Sequence, residues 1–251
     1  MSKKTPQKNV SAISVNNVSV QYAKKTAIQD IELQVNAGEV FGLIGLNGAG
    51  KTTLIKTILD LRVQDAGDIS IYGQGVRSKA VKERLAFLPE RFEPSWFLSG
   101  LEFLKFSAKL YKKHDLSDEE CINAAKSISL DPDALKRKVH TYSKGMRQKL
   151  GLLGTVLTGC DLLILDEPMS GLDPVARAQV KELLLEAKAK GTTIFLSSHI
   201  LADMDEICDT VAVLHDQRIR FYGSPKNLKT QNKAKTLERA FLHFIEEKEV
   251  A

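Results

Sequence analysis

Residues 45–52 read Gly-Leu-Asn-Gly-Ala-Gly-Lys-Thr, which fits the spacing G-x-x-x-x-G-K-[ST]. Each residue type there has a chemical use. Gly45, Gly48 and Gly50 let backbone N–H groups converge on phosphate oxygens without a Cβ in the way. Leu46, Asn47, Ala49 and Thr53 complete the loop and the start of the helix behind it. That helix N-terminus adds its dipole. Lys51 is suited to the β- and γ-phosphates of a nucleotide, and the Thr52 hydroxyl to Mg²⁺. The missing carboxylates come from residues 162–167, Leu-Leu-Ile-Leu-Asp-Glu. Four apolar residues predict a buried strand, whose C-terminal end delivers Asp166 to a ligand crevice as a Mg²⁺ ligand. Glu167 follows and can polarise a water for in-line attack on a γ-phosphate. His199 ends the run Thr-Thr-Ile-Phe-Leu-Ser-Ser-His. Strands of one parallel sheet end on the same side, so His199 is expected in the same crevice, against the γ-phosphate.

The elements that must carry these residues are visible as periodicities. Residues 13–20 and 28–35 alternate as strands do. Residues 39–45 form a continuous apolar run, expected of a strand buried on both faces. Leu54, Ile55, Ile58 and Leu59 make the stripe of the helix after the loop. Residues 67–73 read as a short strand, and residues 85–88 as a strand ended by Pro89. Residues 92–138 change to helical patterns, after which the βα rhythm returns. Asp173 and Pro174 predict an N-cap and first helical position, and Gly191 the end of that helix. The picture is a parallel α/β core, a helical insertion and a helical tail.

Composition narrows the function classes. The chain has 251 residues, 43% hydrophobic and 27% charged, with net charge +5. No apolar run is long enough to span a bilayer, and the polar start, residues 1–10, predicts disorder and no signal peptide. Cys121, Cys160 and Cys208 are far apart and lack metal-ligand spacing, so they read as buried or free thiols. The basic residues are dispersed, which argues against a nucleic-acid partner.

One stretch is unexplained by a single phosphate site. Residues 140–153, His-Thr-Tyr-Ser-Lys-Gly-Met-Arg-Gln-Lys-Leu-Gly-Leu-Leu, run from turn residues into a helical pattern led by Met146. Ser143 could cap that helix, Gly145 permits close approach, and Lys144, Arg147 and Lys149 add positive charge. It reads as a second anion site.

The phosphate loop, the insertion, Tyr-Ser-Lys-Gly-Met at 142–146, Leu-Leu-Ile-Leu-Asp-Glu-Pro at 162–168, Ser-Gly-Leu-Asp-Pro at 170–174 and His199, in this order, closely resemble the ATP-binding cassette (ABC) ATPase domain, most of all the ATP-binding proteins of ABC-2-type exporters. The resemblance implies a P-loop NTPase core, a mostly parallel sheet with helices, with an antiparallel β-subdomain and a helical insertion. It spans 11–245 as a single domain: core 11–90 and 141–228, helical subdomain 91–140 and tail 229–251. It implies ATP as ligand, Mg²⁺ as cofactor, and an ATP hydrolase that uses Lys51, Glu167 and His199. Tyr22 lies where the family places an aromatic that stacks on adenine. Glu90 lies where the family usually has a glutamine near Mg²⁺; glutamate keeps the acceptors, loses the donor and adds charge. Ser143 and Gly145 match the family signature, whereas Lys144 and Met146 do not. The signature of one cassette closes on the ATP of another, which explains the second anion site and implies a homodimer. The partners implied are a separate transmembrane permease and a second cassette, with no nucleic acid, at the cytoplasmic face of the plasma membrane.

Six aromatic residues, Phe87, Phe92, Trp96, Phe97, Phe103 and Phe106, fall within 87–106. Two readings stay open: a compact core for the insertion, or a groove receiving a helix of the membrane partner. Two other functions compete with transport. A soluble cassette acting on ribosomes or DNA commonly carries two cassettes or a long coiled coil, and neither is present. A module that has lost catalysis is at odds with the intact Lys51, Asp166, Glu167 and His199.

Overall fold

Alternating apolar residues build the first two strands of the computed structural model, β1 (Ser11–Tyr22) and β2 (Lys25–Asn36), which pair antiparallel. The structure describes residues 11–23, 25–111 and 115–249; the disorder expected of residues 1–10 lies outside them. Ile13, Val15, Val18 and Val20 are all buried, although 15 and 18 differ in parity. An irregularity between Val15 and Val18, with Asn17 at φ 50°, resets the alternation, as a bulge does.

β3 (Val40–Ile44) is buried at every position. β4 (Ala66–Ile71) and β5 (Gln74–Gly75) complete an antiparallel sheet in the order β2-β1-β4-β5. β6 (Leu85–Leu88), β7 (Leu162–Asp166), β8 (Thr193–Ser198), β9 (Thr210–His215) and β10 (Arg218–Gly223) join β3 in a second sheet, ordered β10-β9-β3-β8-β7-β6. Its neighbours pair parallel, except for β9 with β10. Both faces are covered, which is why β3, β7 and β8 read as near-unbroken apolar runs.

The residues of this sheet divide between two cores. Phe41, Leu43, Leu162, Ile164 and Phe195 face the antiparallel sheet and α1 (Lys51–Ile58), whose Leu54, Ile55 and Ile58 fill the space between. Val40, Ile44, Leu163, Leu165, Ile194 and Leu196 face the opposite way. The short α2 (Lys79–Lys82) leads into β6.

The insertion holds α3 (Gly100–Leu110), α4 (Asp118–Ser127) and two 3₁₀ turns, Pro132–Lys136 and Val139–Thr141. Capping boxes start both helices, Ser99 with Glu102 and Ser117 with Glu120. The Ser99 backbone N–H, then its hydroxyl and Lys138, hold the Glu102 carboxyl down to about 2.

Next comes α5 (Lys144–Val156), which starts two residues before Met146. Lys144 is thus the first helical residue, and the N–H of Met146 donates to the capping Ser143 Oγ at 3.2 Å. Expecting Met146 to lead the helix overlooked the usual reach of a cap, which accepts from its third successor. α6 (Pro174–Ala189), α7 (Leu201–Ile207), α8 (Pro225–Gln231) and α9 (Leu237–Glu249) cover the second core, with Val180, Leu184, Met204, Leu228, Leu237 and Phe241 buried in it.

α5 binds the insertion to the main sheet through two glycines. A Cβ on Gly151 would lie 2.5 Å from the Phe92 ring, and one on Gly154 would lie 2.6 Å from Phe103. The two rings meet edge to face, 5.5 Å apart. Gly151→Ala is therefore expected to destabilise the fold by about 1–3 kcal/mol through overpacking. Phe92→Leu in the same chain should recover part of the loss in a urea titration. Equal stability of wild type and Gly151→Ala would refute this packing account.

Candidate active site

The loop after β3, the start of α1 and the ends of β7 and β8 enclose a cavity of about 540 Å³. The chain enters the loop from a strand buried on both faces, so its anchor is stiff. Gly50 lies at φ +111°, and a Cβ there would meet Ile28 at 2.6 Å and the Ala27 carbonyl at 2.7 Å. A Cβ on Gly45 would be equally confined, 2.6 Å from the Leu214 carbonyl oxygen. Gly48, at φ +82°, has open space where its Cβ would stand. The expectation that all three glycines serve phosphate approach is thus refined: Gly45 and Gly50 let the loop lie against β2 and β9, and Gly48 keeps the concave side open.

Lys51 is buried at the cavity floor. Its Nζ donates to the carbonyl of Gly45 at 2.7 Å and lies 3.3 Å from that of Leu46. These neutral acceptors belong to the loop itself, so the ammonium charge has no carboxylate partner among the ion pairs of the described residues. Asp166 is buried at the end of β7, beside Ser197 of β8 in the strand register. It accepts from Ser197 Oγ at 2.5 Å and from Thr52 Oγ1 at 3.2 Å. A hydroxyl and a carboxylate this close fit Mg²⁺, which takes one or two protein oxygens and fills its octahedron with phosphate oxygens and water. Among the described residues no three His, Cys, Asp or Glu gather as a metal cage.

Glu167 is buried and sits at φ 52°, a left-handed conformation that costs a non-glycine residue free energy. Its N–H donates to Ser197 Oγ at 3.1 Å. Its Oε2 lies 2.7 Å from His199 Nδ1 and accepts from the His199 N–H at 3.3 Å. A carboxylate can only accept, so Nδ1 carries the proton in this contact. The half-exposed ring then offers the cavity its other nitrogen, which donates to an anion only in the imidazolium form.

Tyr22, at the end of β1, and Glu90, just after β6, stand at the cavity wall with Leu46, Asn47, Gly48, Gly50, Thr52, Thr53, Asp166, Glu167 and His199. Gly45 and Ala49 lie behind this lining. Four wall residues went unnoticed in the sequence: Lys25, Thr26, Ala27 and Gln217. Gln217 gave a faint signal, since Asp216-Gln217 is the two-residue turn between β9 and β10, with both φ positive.

Ser143 and Gly145 do not belong to this cavity. They open α5 on another face, and a Cβ on Gly145 would meet only Leu172 Cδ2, at 3.8 Å. Glu90 also borders a second hollow, of about 470 Å³, shared with Lys144, Arg147 and Gln148. Beside them, Asp173 caps α6, and the N–H of Ala176 holds its carboxyl below the usual range. The six aromatics of 87–106 divide. Phe92 and Phe103 pack together, and Phe87 packs against the core. Trp96, Phe97 and Phe106 are exposed, Phe97 by 86%.

Comparison with known proteins gives the family and agrees with the fold. The family model for the ABC transporter matches residues 28–170. An uncharacterized ABC transporter ATP-binding protein of Synechocystis is 38% identical over 80% of this chain, which spans 57% of that relative's length. The manganese transport system ATP-binding protein MntB of Bacillus subtilis is 34% identical over 95% of this chain and 97% of its own. A fluoroquinolones export ATP-binding protein of Mycobacterium tuberculosis is 35% identical over 86% of this chain and 72% of its own. A solved structure of the ATP-binding subunit of an ABC transporter superposes with a TM-score of 0.85 at 31% identity, covering 93% of this chain and 99% of its own. On the match over residues 28–170 and the relatedness along its length, this chain belongs to the ABC transporter family.

Proposed function

We propose that this chain is the ATP-binding and ATP-hydrolysing subunit of an ABC exporter, working from the cytoplasmic face of the membrane on a separately encoded permease. One observation carries the reading: the Glu167–His199 pair, at 2.7 Å, faces the cavity that also holds Lys51, Thr52 and Asp166. Residues 45–53 cradle the triphosphate, and Tyr22 carries the adenine. Lys51 exchanges its loop carbonyls for phosphate oxygens, gaining charge-assisted bonds. Mg²⁺, held by Thr52 and Asp166 with Glu90 beside them, would neutralise phosphate charge as the bond to the leaving group breaks. Glu167 accepts a hydrogen bond from the attacking water and orients it in line with the γ-phosphorus. His199 holds Glu167 in place and reaches the γ-phosphate through its second ring nitrogen.

The direction of transport rests on the resemblance to the ATP-binding proteins of ABC-2-type exporters and on the relative named for fluoroquinolones export. The permease would dock on Trp96 and Phe97, which line an open groove with Pro94, Lys138 and His140. The core and the insertion, 11–90 with 141–228 and 91–140, would then move as the two levers of one cassette. A second chain supplies Ser143 and Gly145 to the first chain's γ-phosphate.

The test is purification with the membrane partner. The complex is expected to hydrolyse ATP only with Mg²⁺, faster than the chain alone. Glu90→Ala should blunt both the Mg²⁺ dependence and the stimulation by the partner. Unchanged behaviour of Glu90→Ala would remove Glu90 from the coupling. Recovery of the chain on ribosomes instead of membrane protein would overturn the transport reading.

A further inference from the structure

Tyr22 is built into a clamp. Arg62, in the loop that leaves α1, places its guanidinium carbon over the Tyr22 ring, 4.7 Å from the centroid. Its Nη2 donates to the Gln21 carbonyl at 2.6 Å. The Gln21 N–H donates to Asp65 Oδ2, from the same loop, at 2.7 Å. Both backbone groups of the residue before Tyr22 are therefore held by residues 62–65. The loop is tied in turn to the last turn of α1, where the Arg62 N–H donates to the Lys56 carbonyl at 3.2 Å.

Arg62 Nε is buried and has no hydrogen-bond partner among the described residues. A buried N–H without an acceptor is uncommon and is offset here by the face of an aromatic ring. Tyr22 lines the cavity and Arg62 does not. The guanidinium thus covers one face of a ring that itself borders the cavity.

We infer that Arg62 is a positioning residue for nucleotide binding: it holds the Tyr22 ring as a preformed stacking platform for a purine base, tied to the helix that carries Lys51. This rests on the reading that Tyr22 carries the base. The physical reason is preorganisation. Tyr22 is 45% exposed, and a free side chain there would lose rotamer freedom when a base stacked on it. The clamp imposes that order before the ligand arrives. It also fixes the distance between the base platform and the phosphate loop, because both ends hang on α1.

Equilibrium binding with a non-hydrolysable ATP analogue and with inorganic tripolyphosphate, both with Mg²⁺, separates the base from the phosphates. Arg62→Ala is expected to weaken the analogue about fivefold and to leave tripolyphosphate within about twofold. Tyr22→Ala should weaken the analogue at least as much, and Arg62→Ala added to it should change nothing more. If Arg62→Ala fails to fold, Arg62→Gln is read the same way. Equal loss for both probes, or no loss for either, would overturn the inference. The two layers fail separately. Wild-type affinity in Tyr22→Ala removes the base platform itself, whereas loss in Tyr22→Ala with none in Arg62→Ala removes only the clamp.

Discussion

Glu167→Gln is expected to lower kcat for ATP by at least about 100-fold while leaving ATP affinity within about threefold. The substitution keeps the size and shape of the side chain. It also keeps an oxygen to accept from His199 Nδ1, now 2.7 Å from Oε2, and it leaves the backbone bond to Ser197 Oγ untouched. Lys51, Thr52 and Asp166, which would hold the phosphates and Mg²⁺, keep their places. What is lost is the carboxylate charge that polarises the water, so the loss falls on turnover and not on binding. A cassette that binds ATP and cannot release it as ADP should also accumulate as a closed dimer in gel filtration with ATP. Turnover above about a tenth of wild type would remove Glu167 from the role of base. Binding lost together with turnover would show a structural collapse at the strained φ of 52° instead.

That strain marks the boundary of what the sequence makes legible. The apolar runs at 40–44 and 162–166 are strands buried on both faces, and their hydrophobicity alone places them in a parallel sheet. The loop at 45–52, Asp166, Glu167 and His199 could be brought to one crevice from topology, because parallel strands present the same end. The contacts that tune the crevice were not legible. Ser197 bonding both Asp166 and the Glu167 backbone depends on strand register, which hydrophobic pattern does not specify at single-residue precision. Arg62 over Tyr22 joins residues forty apart through a loop whose composition is unremarkable in charge and polarity. Gly151 and Gly154 read as ordinary helix residues until the Phe92 and Phe103 rings stand against them. The aromatic cluster of 87–106 shows the same limit. Counting could not separate rings that fill a core from rings that face solvent, and Phe92 and Phe97 fall on opposite sides of that division.

The packing of Phe92 bears on how the site communicates. Glu90 lines the nucleotide cavity, and two residues later the chain sets Phe92 against Gly151 on α5. α5 begins at the capping Ser143 and carries Gly145 in its first turn. If Glu90 shifts when the cavity fills, as the proposed function requires, the shift would have a packed route to the helix that carries Ser143 and Gly145. In a closely packed interior such displacements are transmitted, because there is no free volume to absorb them.

Gly145→Asp tests the shared phosphate most severely. Within the chain the new side chain is easily accommodated, since a Cβ there would meet only Leu172 at 3.8 Å, an ordinary contact. An acidic residue in the first turn of α5 also interacts favourably with the helix dipole, so thermal stability should stay level or rise slightly. Affinity for ATP at the chain's own loop should not change, because Gly145 is not part of that cavity. If a partner's γ-phosphate closes on this helix N-terminus, the added carboxylate stands against it and replaces attraction by repulsion. Turnover is then expected to fall by more than about 100-fold, and the ATP-dependent dimer of Glu167→Gln to disappear when Gly145→Asp is added. Mixing a Gly145→Asp chain with a Lys51→Ala chain places one intact composite site in each mixed dimer, and partial ATPase activity should return. A Gly145→Asp chain that hydrolyses ATP at the wild-type rate would mean that the cavity works alone, and that residues 143–145 do not close on a second cassette's phosphate.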